Sequence, residues 1–244
     1  MRSMTSVFVA LMLPTAWASA QAPAAPPVTI TLGARHGHVM PSRQGFTHTG
    51  GGNIDVAQPA PDTLIITMTG VAVAGAHPCK DSVAGLDFDL EQSVEIAIAD
   101  PKVKQAKVSL EGRVIGLLRS QKKGSAEQGQ ACAALGIASA QVLCLCVPPH
   151  HVAAGENLSL NCHEGPLEVP IPAGQYTLHQ TLALTACHPH CVLPCKAASA
   201  EFAPDPALDP LWISYWEPFH GAAKRDFGFQ VILKVAPDGG GEKK

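Results

Sequence analysis

Charge and aromatic rings are both scarce in this sequence. Charged side chains supply 15% of the 244 residues and aromatic ones 5%, with a formal net charge of −3. That balance leaves no basic block for a nucleic acid and no cationic patch for an anionic membrane. Long apolar runs are missing too: beyond residue 20 nothing approaches the roughly 18 uninterrupted apolar residues that a membrane-crossing helix needs. No longer segment shows a 3.6-residue apolar period between helix caps, so the helix share should be low.

Recognisable catalytic signatures are also lacking. There is no Gly-x-Ser-x-Gly elbow, no His-Glu-x-x-His, no phosphate-cradling glycine loop, no dinucleotide fingerprint and no Cys-x-x-Cys. This excludes the motif-bearing enzyme classes and thioredoxin-type exchange. A site assembled from distant loops leaves no such trace, because it is defined by spatial geometry.

What the chain does have begins at its start. Arg2 precedes an apolar stretch from Val7 to Leu13, and Ala18-Ser19-Ala20 supplies the small residues that a signal peptidase reads. Residues 1–20 are therefore expected to be a secretory signal, and the protein periplasmic or secreted. Residues 21–27 form an Ala/Pro-rich leader, and residues 236–244 a disordered tail.

Between them, glycines and prolines, 22 and 21 in the whole chain, punctuate runs rich in β-branched residues. These are 28–33, 62–75, 86–98, 106–118, 138–147, 156–162, 174–186, 211–216 and 226–235. In 106–118, Val108, Leu110 and Val114 share one parity while Lys107, Ser109, Glu111 and Arg113 take the other, the pattern of a strand with one wet face. Residues 119–137 read as a polar, glycine-punctuated loop and a possible sub-boundary. The expected fold is all-β: an antiparallel β-sandwich of about nine strands over 28–235, with jelly-roll or immunoglobulin-like connections and long loops.

Eight cysteines follow the signal: Cys79, Cys132, Cys144, Cys146, Cys162, Cys187, Cys191 and Cys195. An even number in an oxidising compartment predicts disulfides. In CHPHCVLPC (187–195), Pro189 and Pro194 exclude a helix. In an extended chain, residues four apart lie about 13 Å from each other, beyond the roughly 7 Å Cα limit of a disulfide, so these cysteines need partners elsewhere. Cys144 and Cys146 share one strand face with Cβ atoms about 6.5 Å apart, where a bridge wants about 3.8 Å. They should project toward segments such as those bearing Cys132, Cys162 or Cys187.

A metal offers the alternative use for these residues. His36-x-His38 with Met40 following, and His188-x-His190, could ligate copper or zinc, although no finger spacing is matched. His150-His151, after two prolines, reads as loop. Asp87, Asp89 and Glu91 in LDFDLE read as a solvated strand face, since no loop of closely spaced oxygen ligands follows to hold calcium. Trp212 and Trp216 share one face of LWISYW; with Phe219 and His220 nearby they could form a stacking platform for a ligand, against the plainer reading of a strand covered on both sides.

These readings converge on an exported, disulfide-braced β-sandwich acting as a binding module for a protein or carbohydrate, with no cofactor expected and enzymatic activity left open. A periplasmic copper- or zinc-binding protein and a hydrolase with a dispersed site are the alternatives.

Overall fold

Strict alternation of apolar and polar residues gives a strand one face to bury, and two sheets that bury such faces against each other make a sandwich. The computed structural model of the protein describes residues 26–44, 48–74, 82–120, 124–138, 140–153, 155–188, 198–202 and 228–238. The described residues form thirteen strands and no helix. In chain order they are β1 (Val28–Gln44), β2 (His48–Ala60), β3 (Thr63–Ala74), β4 (Ser82–Ile98), β5 (Ala106–Arg119), β6 (Ser125–Gln128), β7 (Ala131–Ile137), β8 (Ala140–Val147), β9 (His150–Ala153), β10 (Asn157–Ile171), β11 (Gly174–His188), β12 (Ala198–Phe202) and β13 (Phe229–Pro237).

Two antiparallel sheets result. The seven-stranded sheet runs β1-β4-β11 and then splits: β6 and β7 lie in tandem along β11, backed by β9 and β8 respectively. The six-stranded sheet runs from β10 to β5, then through β12 and β13 in tandem, to β3 and β2. Facing residues such as Leu86, Phe88, Leu90, Leu178 and Leu182 meet Leu64, Ile66, Met68, Leu110 and Val231 in a single core. Among the described residues no helix is long and apolar enough to cross a membrane.

Two side chains lock the sheets together. The Phe88 ring fills the space left by Gly52 and Gly70, which face each other across β2 and β3. A Cβ added at either glycine would lie 2.5 Å from Phe88 Cζ. Leu145 of β8 does the same at the other end, over Gly112 of β5 and Gly165 of β10. A Cβ on Gly112 would come within 2.3 Å of Leu145 Cδ2, and one on Gly165 within 3.1 Å of its Cδ1. Both knobs are almost wholly enclosed, at 2% exposure each.

The ladder is interrupted where the backbone needs an extra residue. On β1, Gly33 and Ala34 both stand opposite Ser93 of β4, a β-bulge. Buried Gln92 directs its amide nitrogen to the carbonyls of Gly33 and Ala34 at 3.2 and 3.4 Å, supplying a donor where the ladder is broken. Across the edges of the two sheets, Gln58 of β2 donates to the Ile30 carbonyl of β1 at 2.7 Å.

The sandwich agrees with the alternation read from the sequence, with differences in detail. The stretch read as a loop over 119–137 contains β6 and β7, and both join the seven-stranded sheet. Apart from Leu135, their buried positions hold Ala126, Gln128, Ala131 and Ala133, too small or too polar to mark a strand by hydrophobicity. His150-His151 opens strand β9 rather than lying in a loop, and β13 runs past Val235 to Pro237. The signal, residues 21–25 of the leader, 211–216 and most of the tail lie outside the described residues.

If the glycine gaps set the distance between sheets, filling one must strain the packing. Gly70→Ala is expected to cost about 1–3 kcal/mol in urea unfolding, the usual range for an overpacked core. Shortening the knob with Phe88→Leu in the same chain should recover part of that loss, so the double variant will be less destabilised than the sum of the singles.

Candidate functional site

The outer face of the seven-stranded sheet gathers motifs that are far apart in the chain. Along β4, Phe88, Leu90 and Val94 point into the core, which sends Asp87, Asp89, Glu91 and Glu95 outward. His36 and His38 of β1, both exposed, stand directly opposite Glu91 and Asp89. On the other side of β4, His179 and Thr181 of β11 occupy the matching positions, and they in turn face Ala134 and Cys132 of β7. Cys144 and Cys146 of β8 complete the two rows. His179 Nε2 approaches Asp89 Oδ1 at 3.1 Å.

The charge on this face is one-sided. The strands β4, β6, β7, β8, β9 and β11 contain no lysine or arginine, and β1 contains only Arg35 and Arg43. Beside the carboxylates, a shallow cavity of about 220 Å³ has a floor of Ala134, Gly136, Ala138 and Ala140, with Glu91, Thr177, His179 and Gln141 around it. Small residues make the depression, and polar ones line its wall.

The His36-x-His38 pair thus lies on the outer face with carboxylates for neighbours. Among the described residues, however, no group of three or more His, Cys, Asp or Glu is arranged to hold a metal ion. His188 ends β11, while His190, Trp212, Trp216, Phe219 and His220 lie outside the described residues.

Sulfur is divided between two uses. Cys132 and Cys146, direct cross-strand partners on β7 and β8, form a disulfide with Cα atoms 4.1 Å apart. Cys144 and Cys146 do not bond to each other, their sulfurs lying 3.9 Å apart on the same strand face. Among the described residues Cys132–Cys146 is the one bridge of the disulfides expected: Cys144, Cys162 and Cys187 are free thiols, and Cys79, Cys191 and Cys195 lie outside the described residues. The reason is positional. Among the described residues, only Cys132 and Cys146 occupy facing positions in a ladder; Cys144 faces Ala134, Cys162 faces Val114 and Cys187 stands between Val83 and Ser125. Burial raises the Cys187 thiol pKa, with a smaller push from Glu127, against a lowering hydrogen bond with Ser125. Burial likewise raises the Tyr176 phenol, whose hydroxyl donates to the Pro172 carbonyl at 2.9 Å.

A second constellation occupies the seam between the two sheets. Gln128 of β6 and His150 of β9 are cross-strand partners, and His150 Nδ1 lies 2.9 Å from Gln128 Oε1. Cys162 reaches in from β10 of the opposite sheet, its Sγ 3.6 Å from His150 Nε2. Gln128 is fully buried and donates its amide nitrogen to the Gly129 carbonyl. Cys162 and His150 are half-buried. No spacing announces this group, because its three residues come from three strands in two sheets.

Two measurements follow from the sulfur and phenol placements. The Cys132–Cys146 bridge closes a short loop, so replacing both residues by alanine should lower stability by about 2–3 kcal/mol. Cys187 and Tyr176 hold their protons more tightly folded than unfolded; the stability this confers is present at neutral pH and is lost as pH rises through the raised values. Urea midpoints recorded from neutral into alkaline pH should therefore fall, and Tyr176→Phe should make that fall shallower.

No protein-family model matches this chain, and neither a curated protein nor a solved structure matches it.

Proposed function

We propose that this chain is an exported binding module whose seven-stranded sheet presents its outer face to a cationic ligand, in the first instance a lysine- or arginine-bearing segment of a protein partner. The observation that carries this reading is the outward stripe Asp87, Asp89, Glu91 and Glu95 on a central strand, with no lysine or arginine on β4 or on its neighbour β11. A face of one sign steers an oppositely charged partner and suppresses partners of like charge. The shallow cavity beside Glu91 and His179 gives such a segment a place to seat one side chain. Export is supported by Arg2, the apolar Val7–Leu13 stretch and Ala18-Ser19-Ala20, and it suits a chain carrying a disulfide.

The test is titration of a short oligolysine peptide, with an oligoglutamate control, at low and high salt. Oligolysine should bind at low salt and weaken as salt rises, and the triple variant Asp87→Asn, Asp89→Asn, Glu91→Gln should lose roughly tenfold or more in affinity. Equal binding of both peptides, or an unchanged affinity in the neutralised variant, would refute the reading.

A further inference from the structure

The seam between the sheets holds an arrangement that ligand binding on the outer face does not use. Hydrogen-bond bookkeeping at Gln128 settles which ring nitrogen of His150 is protonated. The Gln128 amide nitrogen is engaged with the Gly129 carbonyl, so Oε1 is the atom that faces the ring, and it can only accept. His150 Nδ1 therefore carries the hydrogen and donates it. Nε2 is left with its lone pair directed at Cys162 Sγ, 3.6 Å away. The thiol faces a base, and the base is held in one tautomer by a buried amide. This is the nucleophile, base and orienting-group order that activates a weak nucleophile.

Position reinforces the geometry. Gln128 is 0% exposed, and burying an amide there without the ring nitrogen would leave its oxygen unsatisfied, so His150 and Gln128 hold each other in place. Cys162 is approached from the opposite sheet by an independent strand, and it keeps partial access to solvent. Among the described residues Cys144 is the exposed free thiol, and its hydrogen-bonding contact is the Cys146 sulfur rather than a base.

We infer that Cys162 is a base-assisted thiol that exchanges with low-molecular-weight disulfides, His150 accepting its proton and Gln128 positioning His150. In the step, the Sγ–H proton passes to His150 Nε2 and the thiolate attacks one sulfur of the disulfide R–S–S–R. A Cys162 Sγ–SR bond forms as the S–S bond of the reagent breaks. The departing RS⁻ takes the proton from His150 and leaves as RSH. Cys162 sulfur is oxidised and the leaving sulfur reduced, so the electrons balance with the disulfide as oxidant. The product is a mixed disulfide at the seam, chemistry separate from the outer face.

The experiment exposes the folded full chain to 2,2′-dithiodipyridine at neutral pH, quenches at intervals and assigns each modified cysteine by peptide mass mapping. Cys162 is expected to react faster than the more exposed Cys144. His150→Gln should slow Cys162 roughly tenfold or more, given what a positioned base contributes, while the Cys144 rate stays the same and reports that the fold is intact. Gln128→Asn, which keeps the amide but shortens its reach, should slow Cys162 by a smaller factor. If Cys162 reacts no faster than Cys144 in the unaltered chain, or is indifferent to His150→Gln, the inference is overturned. Should His150→Gln change the Cys144 rate as well, the comparison within the unaltered chain decides by itself.

Discussion

The whole arrangement depends on how closely two sheets can approach, and glycine decides that distance at two places. Stacked sheets ordinarily sit about 10 Å apart, a gap filled by side chains from both. Here Phe88 reaches all the way to the backbone of β2 and β3, and Leu145 reaches to β5 and β10, because Gly52, Gly70, Gly112 and Gly165 leave room. Interior packing tolerates little adjustment, so these two contacts set where one sheet rests on the other.

Both knobs sit in the middle of a chemically loaded motif. Asp87 and Asp89 flank Phe88, and Cys144 and Cys146 flank Leu145. The two-residue period of a strand makes this a necessity: anchoring the central residue inward turns both neighbours outward. The acidic stripe and the sulfur pair are therefore the reverse side of the core anchors. The disulfide to Cys132 ties β8 to β7 from outside while Leu145 ties it to the opposite sheet from within.

The sequence made some of this legible and hid the rest for physical reasons. Alternation in 86–98 and 106–118 is carried by large side chains such as Phe88, Leu90, Val108 and Leu110, and those strands stand out. β2 escapes notice because His48–Ala60 is rich in glycine and its inward positions include Gly52, which serves the core by having no side chain. β6 and β7 escape because alanines and a buried glutamine make up their inner face apart from the single large side chain of Leu135. The outward placement of Asp87, Asp89 and Glu91 could be read directly. The meeting of Gln128, His150 and Cys162 could not, since it requires knowing that β9 edges one sheet, that β10 edges the other, and that the two edges adjoin.

The bulge at Gly33-Ala34 acts as a phase shifter. Upstream of it, even-numbered Val28 and Ile30 are the buried residues of β1; downstream, Gly37 and Val39 turn toward the core and His36, His38 and Met40 stand exposed. One supernumerary residue, with Gln92 occupying the gap it opens, thus decides that both imidazoles decorate the surface instead of being driven between the sheets. Loss of a single codon at that point would exchange inside for outside along the remainder of the strand, so this short turn of backbone is far less forgiving of length changes than of substitutions.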